Sequence, residues 1–259
     1  MNKIVRTWSA ADAEELYAIQ GWGKGMLAVG DAGDLLMHPR LYQETPKGGN
    51  GGPAGPSINL KSLVDDLVKR GISTPVLLRF PDLLGGRIVA LNTAFQIAIE
   101  DYEYTGSYRG VYPIKVNQDK SVVRTVVECG KRFHYGLEAG SKPELLAAIS
   151  MLTDPEALLI CNGYKDEAYV ETALLASKLG LRMILVIEKP TELALVKSVS
   201  ERLNIRPRIG IRVKLTARGA GHWKESGGDR SKFGLSAREL CAAVEIMRKE
   251  GLLDCFELL

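Results

Sequence analysis

One lysine in this sequence stands where an amine could serve as a nucleophile. Lys115 closes Val111-Tyr112-Pro113-Ile114, an apolar strand-like run, and leads into Val116-Asn117-Gln118. With the period of two of a strand, Val111, Pro113 and Lys115 share one face, opposite Tyr112, Ile114 and Val116. If the first set turns inward, the Lys115 amine projects into the mouth of the fold. An amine desolvated there has a lowered pKa and attacks an aldehyde to form a Schiff base. The ordinary alternative is a solvated surface lysine, since lysine is seldom fully buried. Pro113 also weakens the strand by removing a ladder donor. Position alone leaves both readings open.

Other chemistries are poorly supplied. Cys129, Cys161, Cys241 and Cys255 form no C-x-x-C pair, and His38, His134 and His222 lie far apart. Zinc spacing is therefore absent, and a disulfide framework does not suit a chain so long and so poor in cysteine. The run from Lys47 to Pro56 has the glycines of a phosphate loop. No strand precedes it, however, and no Gly-Lys-Ser/Thr closes it, so it reads as a surface loop or linker.

The elements that must position Lys115 follow a regular pattern. Strand-like runs occur at Pro75–Leu78, Val111–Ile114, Tyr135–Leu137, Ala157–Ile160, Met183–Ile187, Ile209–Val213 and Cys255–Leu259. From Ile114 through Leu137, Ile160 and Leu185 to Ile211, their central residues recur every 23 to 26 positions. Helical patterns fill the intervals, for example Glu167 to Leu179 and Glu192 to Leu203. Such β–α alternation with near-continuous apolar strands predicts an α/β fold with a parallel sheet covered by helices. A doubly wound open sheet and a closed (β/α)₈ barrel both satisfy it, and the even spacing favours the barrel. In either fold, chemistry gathers at the C-terminal ends of the strands, where Lys115 falls.

Residues 1–70 lie outside this repeat. Gly25–Gly30 and Asp34–Met37 are short apolar runs joined by Asp31-Ala32-Gly33, a hairpin signal. After the glycine-rich run, Asn59 caps a helix with Leu60, Leu63, Val64, Leu67 and Val68 at helical spacing, stopped by Gly71. The expected division is 1–70 as hairpin, linker and lead-in helix, and 71–259 as the barrel portion. Seven strand-like runs against the eight of a barrel, with the last reaching Leu259, suggest a barrel incomplete at its C-terminus.

The chain has 259 residues, 46% of them hydrophobic and 25% charged, with a net charge of +3. That usage is ordinary for a globular protein and excludes a collagen-like or disordered chain. The charge balance is too slight to require nucleic acid or a membrane surface. No apolar run approaches a membrane span, and no signal-peptide region follows Met1. A cytoplasmic location is the expectation.

The residues around Lys115 carry a resemblance. Tyr108 to Gln118 resembles the lysine motif of the alanine-racemase-like, fold type III pyridoxal-phosphate decarboxylases. Phe133-His134-Tyr135-Gly136-Leu137-Glu138-Ala139-Gly140-Ser141-Lys142-Pro143-Glu144-Leu145 looks like that family's third-strand motif. Ile209-Gly210-Ile211-Arg212-Val213-Lys214-Leu215, continuing through a glycine-rich insertion to Ser231-Lys232-Phe233-Gly234-Leu235, resembles the biosynthetic arginine branch more than the ornithine or diaminopimelate branches.

The resemblance implies a (β/α)₈ barrel followed by a β-domain formed mainly downstream, which the N-terminal segment would join. Lys115 would bind pyridoxal 5'-phosphate covalently. Glu138 falls where the family places an acidic residue near the cofactor, or is an ordinary strand-end carboxylate in a salt bridge. Arg212 matches an arginine beside the cofactor ring, or is one more of the basic series Arg202, Arg206, Arg208, Lys214 and Arg218. As a charge within an apolar strand, it must find a partner. In the loop Thr216–Gly234, Trp223 either stacks on a guanidinium or covers a hinge, and His222 has no histidine nearby with which to hold a metal.

The implied activity is decarboxylation of L-arginine to agmatine, opening a route to putrescine and spermidine. Magnesium and a dimer-based homo-oligomer come with the resemblance, and no nucleic-acid or membrane partner does. The rest of the family's cofactor cradle would lie downstream of Leu259, so the chain alone is expected to be inactive. The alternatives are a sister decarboxylase for ornithine, diaminopimelate or carboxynorspermidine, a non-catalytic pyridoxal-phosphate carrier, and a phosphate-sugar barrel enzyme.

Overall fold

The structure, a computed structural model, describes residues 7–39, 56–214 and 233–259. Most of the linker that begins at Lys47, and most of the loop Thr216–Gly234 with Arg218, His222 and Trp223, lie outside the described residues. The chain divides into two compact units, Met1–Glu103 and Tyr104–Leu259.

In the first unit, Ser9 begins α1 (Ala10–Leu16) with a capping box: its hydroxyl accepts from the Asp12 amide while Asp12 accepts from the Ser9 amide. α2 (Ile19–Gly23) follows, and then the expected hairpin of β1 (Leu27–Val29) and β2 (Leu35–Met37), antiparallel with Leu27 opposite Met37. Gly33, at φ +84°, supplies the left-handed residue of its turn. A short third strand, β3 (Ile58–Asn59), pairs with β2. Asn59 then caps α3 (Leu60–Lys69) by accepting from the Ser62 amide at 3.0 Å, as its sequence position predicts. Pro81, pre-set for the first turn, opens the 21-residue α4 (Pro81–Asp101).

The expected strand Pro75–Leu78 is not formed. It joins no ladder, and Leu77 is exposed. An apolar run becomes a strand only when another strand takes up its backbone groups, and Pro75 has no amide hydrogen to offer.

The second unit is the repeat. β4 (Val111–Pro113) leads to α5 (Lys120–Gly130), β5 (Gly136–Ala139), α6 (Lys142–Met151) and β6 (Leu158–Cys161). α7 (Glu167–Lys178), β7 (Arg182–Ile187), α8 (Pro190–Leu203), β8 (Ile209–Ile211), α9 (Ala237–Lys249) and β9 (Phe256–Leu258) complete it. The six strands form one parallel sheet in chain order, β4 to β9, rather than a set of seven. Two strands are shorter than the apolar runs suggested. β8 stops at Ile211, so Arg212 follows the strand instead of lying within it, and Cys255 belongs to a 3₁₀ turn.

Alternation along the strands gives the sheet two unlike faces. Leu137, Leu159, Leu185, Ile187, Ile209 and Ile211 point one way and are fully buried, beside Leu145 of α6, Tyr169 and Leu174 of α7, and Val196 of α8. Each such side chain contributes roughly 1.5–3 kcal/mol of burial. On the other face Ile160, Ile184 and Val186 pack together with Val111, Leu158 and Leu258. Glu138, in register with Ile160 and thus Ile184, belongs to this second face. A carboxylate in such a layer is costly unless something answers it.

Candidate functional site

The C-terminal ends of the parallel strands gather the charged residues. After β4 the chain tightens into a 3₁₀ turn, Ile114–Val116, which buries Ile114 and turns Lys115 outward. Strand alternation therefore ends at Pro113, and the turn sets the direction of Lys115. The amine is open to solvent rather than desolvated. Lys115 Nζ lies 3.8 Å from Glu138 Oε2, with the lysine side chain 63% exposed and the carboxylate 5%.

Arg212 repeats the pattern two strands from β6. Its Nη1 lies 3.5 Å from Glu188 Oε2, the arginine half exposed and the glutamate 1%. The charge that needed a partner has found one just past the end of β7. Arg212 also faces the Phe233 ring, its guanidinium carbon 5.3 Å from the centroid, and the Phe233 ring lies 5.2 Å from that of Tyr164. The structure thus brings Lys115 and Glu138 together. Arg212 stands on the same edge with a carboxylate of its own, and among the described residues no hydrogen bond or ion pair joins the two pairs directly.

Between them runs the turn after β6. Asn162 Nδ2 donates to Glu138 Oε1 at 3.1 Å, and the Gly163 amide donates to Glu188 Oε1 at 2.8 Å. Gly163 sits at φ +76°, and a Cβ there would come 2.1 Å from the Gly140 carbonyl oxygen, so only glycine fits. Each carboxylate is held by one oxygen. The other oxygen, Oε2 of Glu138 and of Glu188, is buried and accepts no hydrogen bond among the described residues.

Beneath the turn lies Lys165, whose side chain is wholly buried. Its Nζ donates to the Gly163 carbonyl at 2.6 Å and to the Val186 carbonyl, and faces Glu192 Oε2 at 3.5 Å. Glu192 also accepts from the amides of Lys165 and Glu188, at 3.0 and 2.8 Å. Burial holds the Lys165 amine below the usual lysine range, against the pull of Glu192 and Glu188. Nearby, burial pushes the Cys161 thiol up to about 12, which makes it an inert packing group.

Sequence reasoning missed Asn162, Lys165, Glu188 and Glu192. Their positions just beyond apolar strands were a usable signal, since a polar group there must be satisfied or functional. Among the described residues, no three His, Cys, Asp or Glu side chains converge as a metal site, so none is assigned to magnesium. A cavity of about 440 Å³ opens at the opposite edge, lined by Glu156, Arg182, Arg206 and Arg208. It is remote from Lys115 and Glu138.

Residues 90–255 match the model of the pyridoxal-dependent decarboxylase family, pyridoxal binding domain. The chain belongs to that family. It is 47% identical over 255 residues to a biosynthetic arginine decarboxylase of Bacteroides thetaiotaomicron, covering 98% of this chain and 39% of that protein. With the protein of the same name from Gloeobacter violaceus it shares 49% identity, over 98% of this chain and 38% of the relative. The chain thus spans under two fifths of the length of these curated relatives.

Among solved structures, the biosynthetic arginine decarboxylase of Campylobacter jejuni superposes with a TM-score of 0.76 at 31% identity, over 93% of this chain and 37% of that one. A diaminopimelate decarboxylase of Helicobacter pylori gives a TM-score of 0.56 at 20% identity, over 75% and 45%, and speaks for the fold alone. The fold is the (β/α) barrel of the fold type III decarboxylases, of which the described residues supply six parallel strands.

The family's cofactor is pyridoxal phosphate, and the residues present fit it on one observation. Two buried carboxylate oxygens have no hydrogen bond among the described residues, and an amine open to solvent stands beside the first. A ligand bearing an aldehyde and polar ring substituents matches that donor and acceptor set. No helix of the described residues is long and apolar enough to cross a membrane.

Proposed function

We propose that this chain forms the lysine-bearing part of a pyridoxal-phosphate-dependent arginine decarboxylase, converting L-arginine to agmatine and CO₂. The observation that carries the reading is the pairing of the exposed Lys115 amine with the buried Glu138 carboxylate at the C-terminal edge of the sheet. The family match supports the cofactor, and the 47–49% identical relatives support arginine as substrate.

Lys115 would hold the cofactor covalently. Glu138 would stand beside the bound nitrogen and favour positive charge there, because a carboxylate within about 4 Å stabilises the charged form of a neighbour. Arg212, fixed by Glu188, would flank the ring. Once bound, pyridoxal phosphate supplies an electron sink for the pair left when the carboxylate departs as CO₂. A proton returned to Cα completes agmatine. The protein's own share is to orient the substrate's Cα–carboxylate bond and exclude water.

A dimer-based homo-oligomer, magnesium dependence and a cytoplasmic location belong to the same proposal. The test is release of ¹⁴CO₂ from labelled arginine, ornithine and lysine by full-length protein carrying this chain. Arginine should be preferred by on the order of 10⁴, because a site made for a guanidinium leaves buried groups unpaired with a shorter amine. Equal rates on ornithine would move the substrate to a sister branch. Pyridoxal-phosphate binding without decarboxylation of any of the three would favour a non-catalytic carrier.

A further inference from the structure

The two ion pairs at the C-terminal edge share a construction that their cations do not explain. Glu138 and Glu188 come from different strands, β5 and the end of β7, with β6 between them. Among the described residues, both receive their one hydrogen bond through Oε1 from consecutive residues of a single turn, the Asn162 side chain and the Gly163 amide. Both keep Oε2 buried, facing a cation and, among the described residues, without a hydrogen bond. A carboxylate held by one oxygen can rotate about its remaining torsions unless that single bond fixes it. The donor therefore sets where the free lone pairs point.

The turn is itself held from below. Lys165 spends its ammonium on the Gly163 and Val186 carbonyls and on Glu192, and Glu192 accepts from the Glu188 amide. A wholly buried lysine is tolerated only when its charge is matched and its protons are used. Here the contacts run to the turn, to the strand backbone that leads to Glu188, and to Glu192, which itself holds the Glu188 amide.

We infer that Asn162 and Lys165 are positioning residues for the cofactor site: Asn162 aims Glu138 at Lys115, and Lys165, with Glu192, fixes the turn and Glu188 beneath Arg212. The inference rests on the proposed cofactor site and adds to it the element that orients both carboxylates. Neither residue touches the ligand in this account. Asn162 acts through Glu138, and Lys165 acts through Gly163 and Glu188.

The experiment is a pyridoxal-phosphate titration of full-length apoprotein carrying this chain, with affinity read from the visible absorbance band and the modified residue located by borohydride reduction and peptide mapping. Asn162→Leu should weaken the affinity at Lys115 roughly tenfold, the usual consequence of removing a hydrogen bond to a charged group. In a Glu138→Gln background the same change should shift the affinity by less than about twofold, because no carboxylate remains to be aimed. A merely structural role would weaken both backgrounds alike, and that result overturns the inference, as does an unchanged affinity in the single variant. Asn162→Ser, a smaller change at the same half-buried position, carries the test if the leucine variant does not fold. Lys165→Met should lose affinity in the Glu188-containing chain and lose little more once Glu188 is alanine. If the unaltered protein itself is not modified at Lys115, the cofactor-site reading falls and the positioning role with it. Selective modification with unresponsive variants overturns the positioning role alone.

Discussion

Both edges of the six-stranded sheet are lined with ion pairs, built on opposite plans. At the N-terminal edge Arg182 faces Glu156 at 3.7 Å, Arg208 faces Glu257 at 3.5 Å, and Arg206 meets Asp254. Every partner there is at least a third exposed, Glu257 the least at 34%. At the C-terminal edge the cations Lys115 and Arg212 are exposed, and the carboxylates Glu138 and Glu188 are buried. Water can solvate the first set whether or not it pairs, so its net worth is small. The second set carries the cost of desolvated carboxylates and leaves one oxygen of each without a hydrogen bond among the described residues. A fold retains such an arrangement where the charge has work to do. The two edges differ in that buried carboxylates occur only at the C-terminal one among these pairs, although Arg182 Nε at the N-terminal edge is also buried without a hydrogen bond among the described residues and the 440 Å³ cavity lies there.

The largest effect should come from Lys115. Lys115→Ala in full-length protein carrying this chain is expected to lower arginine decarboxylation by several orders of magnitude and abolish the visible cofactor band, since losing a covalent catalyst removes a pathway. Near-normal ¹⁴CO₂ release would put both edges on the same footing.

A smaller loss should follow Glu138→Gln, which keeps size and hydrogen bonding and removes charge. Pyridoxal-phosphate affinity should fall roughly 10- to 100-fold, the range for losing an interaction with a charged group. Absorbance titration checks it, and an unchanged affinity would make Glu138 a strand-end salt bridge like those at the far edge.

Gly163→Ala sharpens the comparison through stability. The new Cβ would meet the Gly140 carbonyl oxygen at 2.1 Å, at a φ of +76°. Unfolding in urea should show a loss of about 2 kcal/mol or more, combining left-handed strain with the clash. The smallest effect belongs to the N-terminal edge. Arg182→Ala should change stability by no more than about 1 kcal/mol and leave cofactor affinity alone, as expected for an exposed pair.

The fold was legible because its strands are short apolar runs at nearly constant spacing. That spacing marks the parallel sheet, and Asn59 marks the start of α3 where its cap is found. The run Pro75–Leu78 misled, because composition reports burial tendency and cannot report whether a ladder partner exists. Lys115 was legible from its place after a strand, but its direction was not, since a 3₁₀ turn interrupts the alternation at Ile114. Glu138 and Arg212 became visible only through family resemblance. Glu188, Asn162 and Lys165 stayed hidden because their significance lies in contacts between residues 21 to 27 positions apart, which only the sheet register brings together.

If the C-terminal edge singles out Lys115 for pyridoxal phosphate, full-length apoprotein carrying this chain, equilibrated with limiting pyridoxal phosphate, reduced with borohydride and mapped by peptide, should carry the dominant share of the label on Lys115, and Glu138→Gln should disperse it to other lysines. Label spread evenly over exposed lysines such as Lys61 and Lys69, with Lys115 no richer than they are, would contradict it.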